Sequence, residues 1–128
     1  MKLLAIHHVA IICSDYRHAK HFYTHILKLP IIHEQYRAER GSYKLDLALP
    51  DGSQIELFSF PDPPIRPSYP EAQGLRHLAF SVNDIKQAKH VLEAQGVDVE
   101  EIRIDEITGK RFTFFADPDD LPIELYEV

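Results

Sequence analysis

This sequence of 128 residues contains almost no cysteine and has no long apolar run. The single cysteine, Cys13, excludes an internal disulfide, which is typical of proteins in a reducing compartment. No stretch approaches the roughly 18 apolar residues of a membrane span. The opening MKLLAIHHVAII is too short and too interrupted by histidine for a signal peptide. We therefore expect a cytoplasmic protein with no membrane partner.

Basic residues are also in deficit. The sequence has 14 Lys and Arg against 20 Asp and Glu, which gives a formal net charge of −6. Nucleic acids and anionic membranes bind proteins through clustered Lys and Arg, so this balance argues against both partners. The content of 45% hydrophobic and 27% charged residues is that of an ordinary globular protein. A small-molecule substrate or a protein partner remains.

The chain contains an internal repeat. A shift of 69 positions aligns HHVAIICSDYRHAKH, which starts at His7, with RHLAFSVNDIKQAKH, which starts at Arg76. A shift of 68 aligns IELF at 55–58 with IELY at 123–126. The Pro-rich residues 61–70 separate the copies, and such a segment links modules rather than entering a sheet. We therefore assign module one to 1–60, a linker to 61–70 and module two to 71–128, packed as a single domain because each module alone is small.

Each copy predicts the same order of elements, βαβββ. In module one we predict a strand over 4–12, a helix capped at Ser14 and Asp15 and stopped by Pro30, and strands over 31–37, 43–49 and 54–60. In module two we predict a strand over 75–82, a helix capped at Asn83 and Asp84 and ended by Gly96, and strands near 97–104, 112–116 and 122–126. The predicted fold class is α+β, with two paired βαβββ modules.

Two histidines and two glutamates occupy equivalent places in the copies. Strand alternation puts His8 and His77 on the faces turned away from the helices, and Glu56 and Glu124 on strands whose other face is apolar. A single His or Glu on a strand is usually structural or solvated, but the doubled placement favours a shared site. Buried carboxylates beside imidazoles are well stabilised by a cation. Nitrogen and oxygen ligands without thiolate fit one divalent Zn, Ni, Co, Mn or Fe ion, and leave two octahedral positions for water or substrate.

These features resemble the glyoxalase I branch of the vicinal oxygen chelate superfamily over essentially the whole chain. The resemblance is carried, in order, by HHVAI with His8, IELF with Glu56, RHLAF with His77 and DPDDLPIELYE with Glu124. It implies the glyoxalase/bleomycin resistance/dioxygenase fold, a cupped sheet of eight strands around a divalent metal, and a homodimer. It also implies that the metal holds two neighbouring oxygens of a small substrate and stabilises an enediolate or oxyanion.

Proton abstraction next to a carbonyl is the reaction that this site favours, with Glu124 or Glu56 as the base, as in a lactoylglutathione lyase or an epimerase. Ile12 stands where bacterial glyoxalase I-like sequences usually carry an arginine for a glutathione carboxylate, so we expect little or no requirement for glutathione. The alternatives are an extradiol dioxygenase-like or thiol transferase-like enzyme, or a non-catalytic ligand-sequestering protein. The first two use three protein ligands, so Glu56 weighs against them, and the whole quartet weighs against the third.

Overall fold

Two compact units make up the chain in the computed structural model, which describes residues 1–128. Unit one is Met1–Pro64 and unit two is Ile65–Val128, so their boundary falls within the predicted linker. Each unit has the order βαβββ, which confirms the predicted α+β class and the paired modules. The elements are β1 (His8–Cys13), α1 (Tyr16–His21), β2 (Ile31–Arg37), β3 (Ser42–Ala48), β4 (Gln54–Ser59), β5 (Leu78–Val82), α2 (Ile85–Ala94), β6 (Arg103–Ile104), β7 (Arg111–Ala116) and β8 (Pro122–Glu127).

Sheet one has the strand order β1-β4-β3-β2, with β1 parallel to β4 and the other pairs antiparallel. One face is apolar and buried beneath the helix, as alternation along each strand predicts. Its buried strand residues are Ile11, Cys13, Leu45, Leu47, Ile55 and Leu57, and the helical segment adds Ala19, Phe22 and Tyr23. Cys13 is thus a core residue. The opposite face carries the polar members of the same strands.

The first helix begins as predicted and then changes its hydrogen-bonding pattern. The Asp15 side chain accepts a hydrogen bond from the His18 N–H at 3.0 Å and so caps α1. The chain continues as a π-helix over Phe22–Ile26, in which the Leu27 N–H donates to the Phe22 carbonyl at 3.0 Å. The single helix expected before Pro30 is therefore two helical segments.

Sheet two has the order β5-β8-β7-β6 and repeats the pairing of sheet one. The Asp84 side chain caps α2 by accepting from the Gln87 N–H at 3.0 Å, and Gly96 follows the helix with φ of 82°. The buried face is formed by Ile85, Leu92, Phe115, Ile123 and Leu125. No helix in the chain has the length and apolar composition needed to cross a bilayer.

The predicted first strand of each module is too long at its start. β1 begins at His8 rather than residue 4, because β4 begins at Gln54, the partner of His8, and offers nothing to pair with earlier residues. β5 begins at Leu78 rather than residue 75. In unit one, the Gln54 N–H donates to the His7 carbonyl at 3.0 Å, just before β1. Pro122 takes the place of Gln54 in unit two and has no N–H, so the equivalent hydrogen bond cannot form before β5. His77 therefore lies just before its strand.

The strand expected near 97–104 is reduced to Arg103–Ile104. Glu100 still bonds to β7, since its N–H donates to the Phe114 carbonyl at 3.1 Å and its carbonyl accepts from the Thr113 hydroxyl at 2.9 Å. A side-chain hydroxyl thus replaces a backbone donor, and the regular ladder is interrupted there.

Candidate functional site

His8 and Glu56 meet on the uncovered face of sheet one. The Glu56 Oε2 lies 3.4 Å from His8 Nδ1, which also lies 2.9 Å from Nδ1 of His7. Both contacts use Nδ1, so Nε2 of His8 remains available. The Glu56 side chain is only 14% exposed, whereas His8 is 42% exposed. A largely buried carboxylate thus sits beneath an accessible imidazole.

His77 and Glu124 form the corresponding pair in unit two. His77 Nε2 lies 2.9 Å from Glu124 Oε2, and the Glu124 side chain is 13% exposed. Nδ1 of His77 is buried and has no hydrogen-bond partner. The ring contacts Phe114 edge to face, with 5.0 Å between centres. Because β8 residue Glu124 pairs with Phe114 of β7, these side chains share one face of sheet two.

The four predicted ligands are thus brought together as two His–Glu pairs, one in each unit. No group of three or more His, Cys, Asp or Glu side chains lies close enough to hold a metal ion. The four-ligand site stays a prediction. The pairs also differ in detail, because the contact uses Nδ1 of His8 but Nε2 of His77.

The residues of each pair fit a divalent metal by the chemistry of their donors. Each pair combines an imidazole nitrogen with a carboxylate oxygen, a ligand set that suits first-row transition metals. Both carboxylates are largely removed from water, where a neighbouring cation stabilises their charge. For Glu124 the only ion-pair partner within 4.0 Å is His77, a neutral imidazole unless it is protonated.

Glu56 has a second neighbour, a lysine on the adjacent strand. Lys44 Nζ lies 3.8 Å from Glu56 Oε1 and 3.1 Å from Asp46 Oδ1. The register explains this contact, since Asp46 is the partner of Glu56 on the adjacent strand β3. The signal was available in the sequence: Lys44 and Asp46 are the polar members of an otherwise apolar alternation. The two pairs therefore differ in charge, with a lysine beside only one.

An open groove of about 720 Å³ lies on unit two, within the range of ligand pockets. Phe114 and Pro122 line it and lie on the same face of sheet two as Glu124, because Phe114 pairs with Glu124 and Pro122 belongs to β8. Arg66 and Tyr69 from the Pro-rich segment also line it. The groove thus combines an apolar wall with one guanidinium, and neither His77 nor Glu124 lines it.

Tyr126, two residues after Glu124, is anchored at its hydroxyl. It donates to Asp105 Oδ2 at 3.1 Å and bonds the Thr108 hydroxyl. Hydrogen bonds from the Ile107 N–H and then from Tyr126 lower the pKa of Asp105. Tyr126 is therefore fixed by an ionised partner beside the second pair.

A second anchored carboxylate lies on the helix side of sheet one. Hydrogen bonds from Lys20, at 2.7 and 3.0 Å, and from Tyr16 lower the pKa of Glu34. Burial and the bond to Glu34 raise the pKa of Tyr16. Glu34 pairs with the core residue Leu45, so this network joins α1 to β2 on the face opposite Glu56. It supports the scaffold and does not belong to the site.

The chain matches a known family. The model of the Glyoxalase/Bleomycin resistance protein/Dioxygenase superfamily matches residues 5–125. The uncharacterized protein YwkD of Bacillus subtilis is 61% identical over 127 residues, covering 99% of each chain. A 2-epi-5-epi-valiolone epimerase of Actinomyces is 31% identical over 143 residues, covering 95% of this chain and 78% of that protein. The crystal structure of a glyoxalase family protein from Enterococcus faecalis is 48% identical, with a TM-score of 0.89 over 96% of this chain and 97% of that one. The chain therefore belongs to the Glyoxalase/Bleomycin resistance protein/Dioxygenase superfamily.

Proposed function

We propose that this protein is a divalent-metal-dependent lyase or isomerase of the glyoxalase I type, acting on a small substrate with two neighbouring oxygens. The observation that carries the proposal is the His–Glu pair present at equivalent places in both units, His8 with Glu56 and His77 with Glu124. Together the pairs would hold one Zn, Ni, Co, Mn or Fe ion. When bound, such an ion supplies Lewis acidity toward the substrate oxygens.

Glu124 is the proposed base that takes the proton next to the substrate carbonyl. Its carboxylate has no lysine or arginine beside it, whereas Glu56 shares its charge with Lys44. His77 Nε2 lies 2.9 Å from Glu124 Oε2, which places the imidazole and the carboxylate close enough to face the same ion. Glu56 is then the ligand held by its cationic neighbour, and Glu124 is the carboxylate that accepts and returns the proton at Oε2.

One relative supports proton transfer over the alternatives. The Actinomyces protein, 31% identical, is named an epimerase, and an epimerase inverts a carbon centre. Extradiol dioxygenase-like or thiol transferase-like chemistry uses three protein ligands, and the low exposure of Glu56 beside His8 supports a fourth. The presence of both pairs likewise weighs against a ligand-sequestering protein without catalysis.

The direct test is solvent deuterium exchange and turnover with metal-loaded protein. The panel contains hemithioacetals of 2-oxoaldehydes and epimers of acyl-CoA thioesters, each with a hydrogen next to a carbonyl. We expect deuterium to enter at that carbon in at least one substrate, and chelator-treated protein to lose the exchange. Exchange that survives removal of the metal, or oxygen consumption with a catechol in place of exchange, would count against the proposal.

Glutathione is expected to be a poor partner for this site. Ile12 lies on the same face as His8, is 55% exposed and supplies no charge for a glycyl carboxylate. A charge-assisted hydrogen bond there is worth roughly 1.5–3 kcal/mol, or about ten- to a hundredfold in binding. We expect a low kcat/KM with the glutathione hemithioacetal of methylglyoxal, rising about that much in Ile12→Arg. A native kcat/KM in the range of good enzymes, roughly 10⁴–10⁸ M⁻¹s⁻¹, would contradict this expectation.

A homodimer is the proposed assembly. Strands β1 and β2 are the edges of sheet one, and β5 and β6 those of sheet two, so each sheet has free edges that a second chain can pair with or cover. Light scattering at micromolar concentration should give the mass of two chains, and a monomer mass would rule the dimer out. Mixing His8→Ala with Glu124→Ala chains then distinguishes two arrangements. If each site is shared between two chains, the mixture should regain about a quarter of the native activity, because one intact site forms in each mixed dimer. If each site is built from one chain, the mixture should stay inactive.

A further inference from the structure

Arg37, the last residue of β2, holds a guanidinium over an aromatic surface of unit one. Its Cζ lies 5.1 Å from the ring centre of Phe58 and 5.9 Å from that of Phe60. Its Nη2 donates to Ser42 Oγ at 2.9 Å. Its Nε is buried without a hydrogen-bond partner, and the guanidinium makes no ion pair. The cation is therefore held in place but not neutralised.

Unit two contains a matched arginine that is neutralised. Arg103 Cζ lies 4.8 Å from the ring centre of Phe112 and 5.5 Å from that of Phe114, much as Arg37 lies over its own pair of rings. Arg103, however, donates to Glu100 Oε1 from Nε at 2.9 Å and from Nη2 at 2.8 Å. A guanidinium stacked on aromatic rings is thus present in both units, but only Arg37 lacks a counter-charge. Stacking alone does not explain that difference.

Arg37 lies on the face that carries Glu56. Phe58 follows Glu56 by two residues on β4, so the two side chains share a face about 7 Å apart. Phe58 pairs with Lys44, whose Nζ lies 6.0 Å from the Phe58 ring centre but is already paired with Asp46. The charge of Arg37 over Phe58 therefore lies on the same face of sheet one as Glu56, without forming an ion pair with it.

We propose that Arg37, with Ser42 and Phe58, forms a subsite for an anionic group of the substrate, a carboxylate or a phosphate. The guanidinium presents donors in a planar fork that matches two oxygens of such a group, and Nη1 is the outer donor that no protein group occupies. A partly desolvated cation gains most from an anion that completes its hydrogen bonds. The inference rests on the proposed function for the position of the reacting end. It makes the substrate a molecule that carries both a chelating pair of oxygens and an anionic group.

Three hydroxamates test the subsite, since each chelates a metal through two neighbouring oxygens. Acetohydroxamate carries no anion, succinate monohydroxamate adds a carboxylate and phosphoglycolohydroxamate adds a phosphate. We expect at least one anionic probe to bind metal-loaded protein about ten- to a hundredfold more tightly than acetohydroxamate in calorimetry. Arg37→Gln should abolish that difference, Arg37→Lys should keep part of it, and the matched Arg103→Gln should keep all of it. Comparing the two anionic probes tells carboxylate from phosphate.

A second readout needs no metal. In chelator-treated protein, the NMR signal of the Arg37 Nε–H should move on titration with inorganic phosphate or succinate, and should be missing in Arg37→Lys. If acetohydroxamate fails to bind loaded protein while this signal still moves, the proposed function fails and the subsite stands. If acetohydroxamate binds but neither anion adds affinity, or Arg103→Gln removes the gain as fully as Arg37→Gln, the subsite is overturned and the proposed function is untouched.

Discussion

Protein loaded with a divalent transition metal is expected to retain about one ion per chain, and His8→Ala and His77→Ala are each expected to lose most of it. Loss of a group that only orients a metal ligand costs roughly 10–100-fold in affinity, so loss of a ligand itself should exceed that range. Elemental analysis after gel filtration gives the stoichiometry, and competition with a chromogenic chelator gives the affinity.

The matched control for these variants is His90→Ala. His90 is exposed on α2, so its loss should leave metal content unchanged. The ligand assignment fails if loaded native protein carries no metal, or if both alanine variants bind it as the native chain does. Circular dichroism of each variant separates loss of a ligand from loss of the fold.

Glu124→Gln is expected to lower kcat by about 10²–10⁴-fold on whichever panel substrate is turned over. Glutamine keeps the size of the side chain and one oxygen donor but cannot accept the proton at physiological pH. Substrate binding should fall much less than turnover, so KM is expected to change little at saturating metal. Steady-state kinetics with the metal content of each sample measured in parallel makes this comparison.

Two further variants complete that experiment. Glu93→Gln, on the exposed side of α2, should leave kcat unchanged. Glu56→Gln should act mainly through metal affinity, because Glu56 is the carboxylate with Lys44 beside it. A reversed result, with turnover lost in Glu56→Gln and kept in Glu124→Gln, would move the base to Glu56.

Much of the fold was predictable because two periodic signals agreed. The alternation of apolar and polar residues around Ile55 and Leu57 predicted strand β4 correctly. The repeat predicted the equivalent strand β8 around Ile123 and Leu125. The predicted strand over 31–37 coincides with β2. The errors fell where pairing depends on a distant partner. Nothing in residues 75–77 themselves reveals that Pro122 cannot supply the ladder hydrogen bond.

The site was predictable in part. The repeat identified both His–Glu pairs, and each pair is in contact in the structure. The repeat did not reveal how the two pairs differ, because the differences come from neighbouring strands. Lys44 on β3 lies beside Glu56 on β4. Arg37 on β2 lies over Phe58 on β4, two strands away in the sheet. Such contacts depend on strand order, which a one-dimensional pattern does not contain. They are also the contacts that support the assignments of base and anion subsite.

The proline at the start of β8 makes the backbone support of the two histidines unequal. His8 is part of a strand whose first rung, from Gln54 to the His7 carbonyl, holds its backbone in place. His77 lacks that rung because Pro122 replaces Gln54, and its backbone lies outside the ladder. The backbone on the N-terminal side of His8 is thus tied to its sheet by a hydrogen bond that the backbone before His77 lacks. In the proposed metal site, His77 would therefore be the ligand whose backbone is less constrained by its sheet.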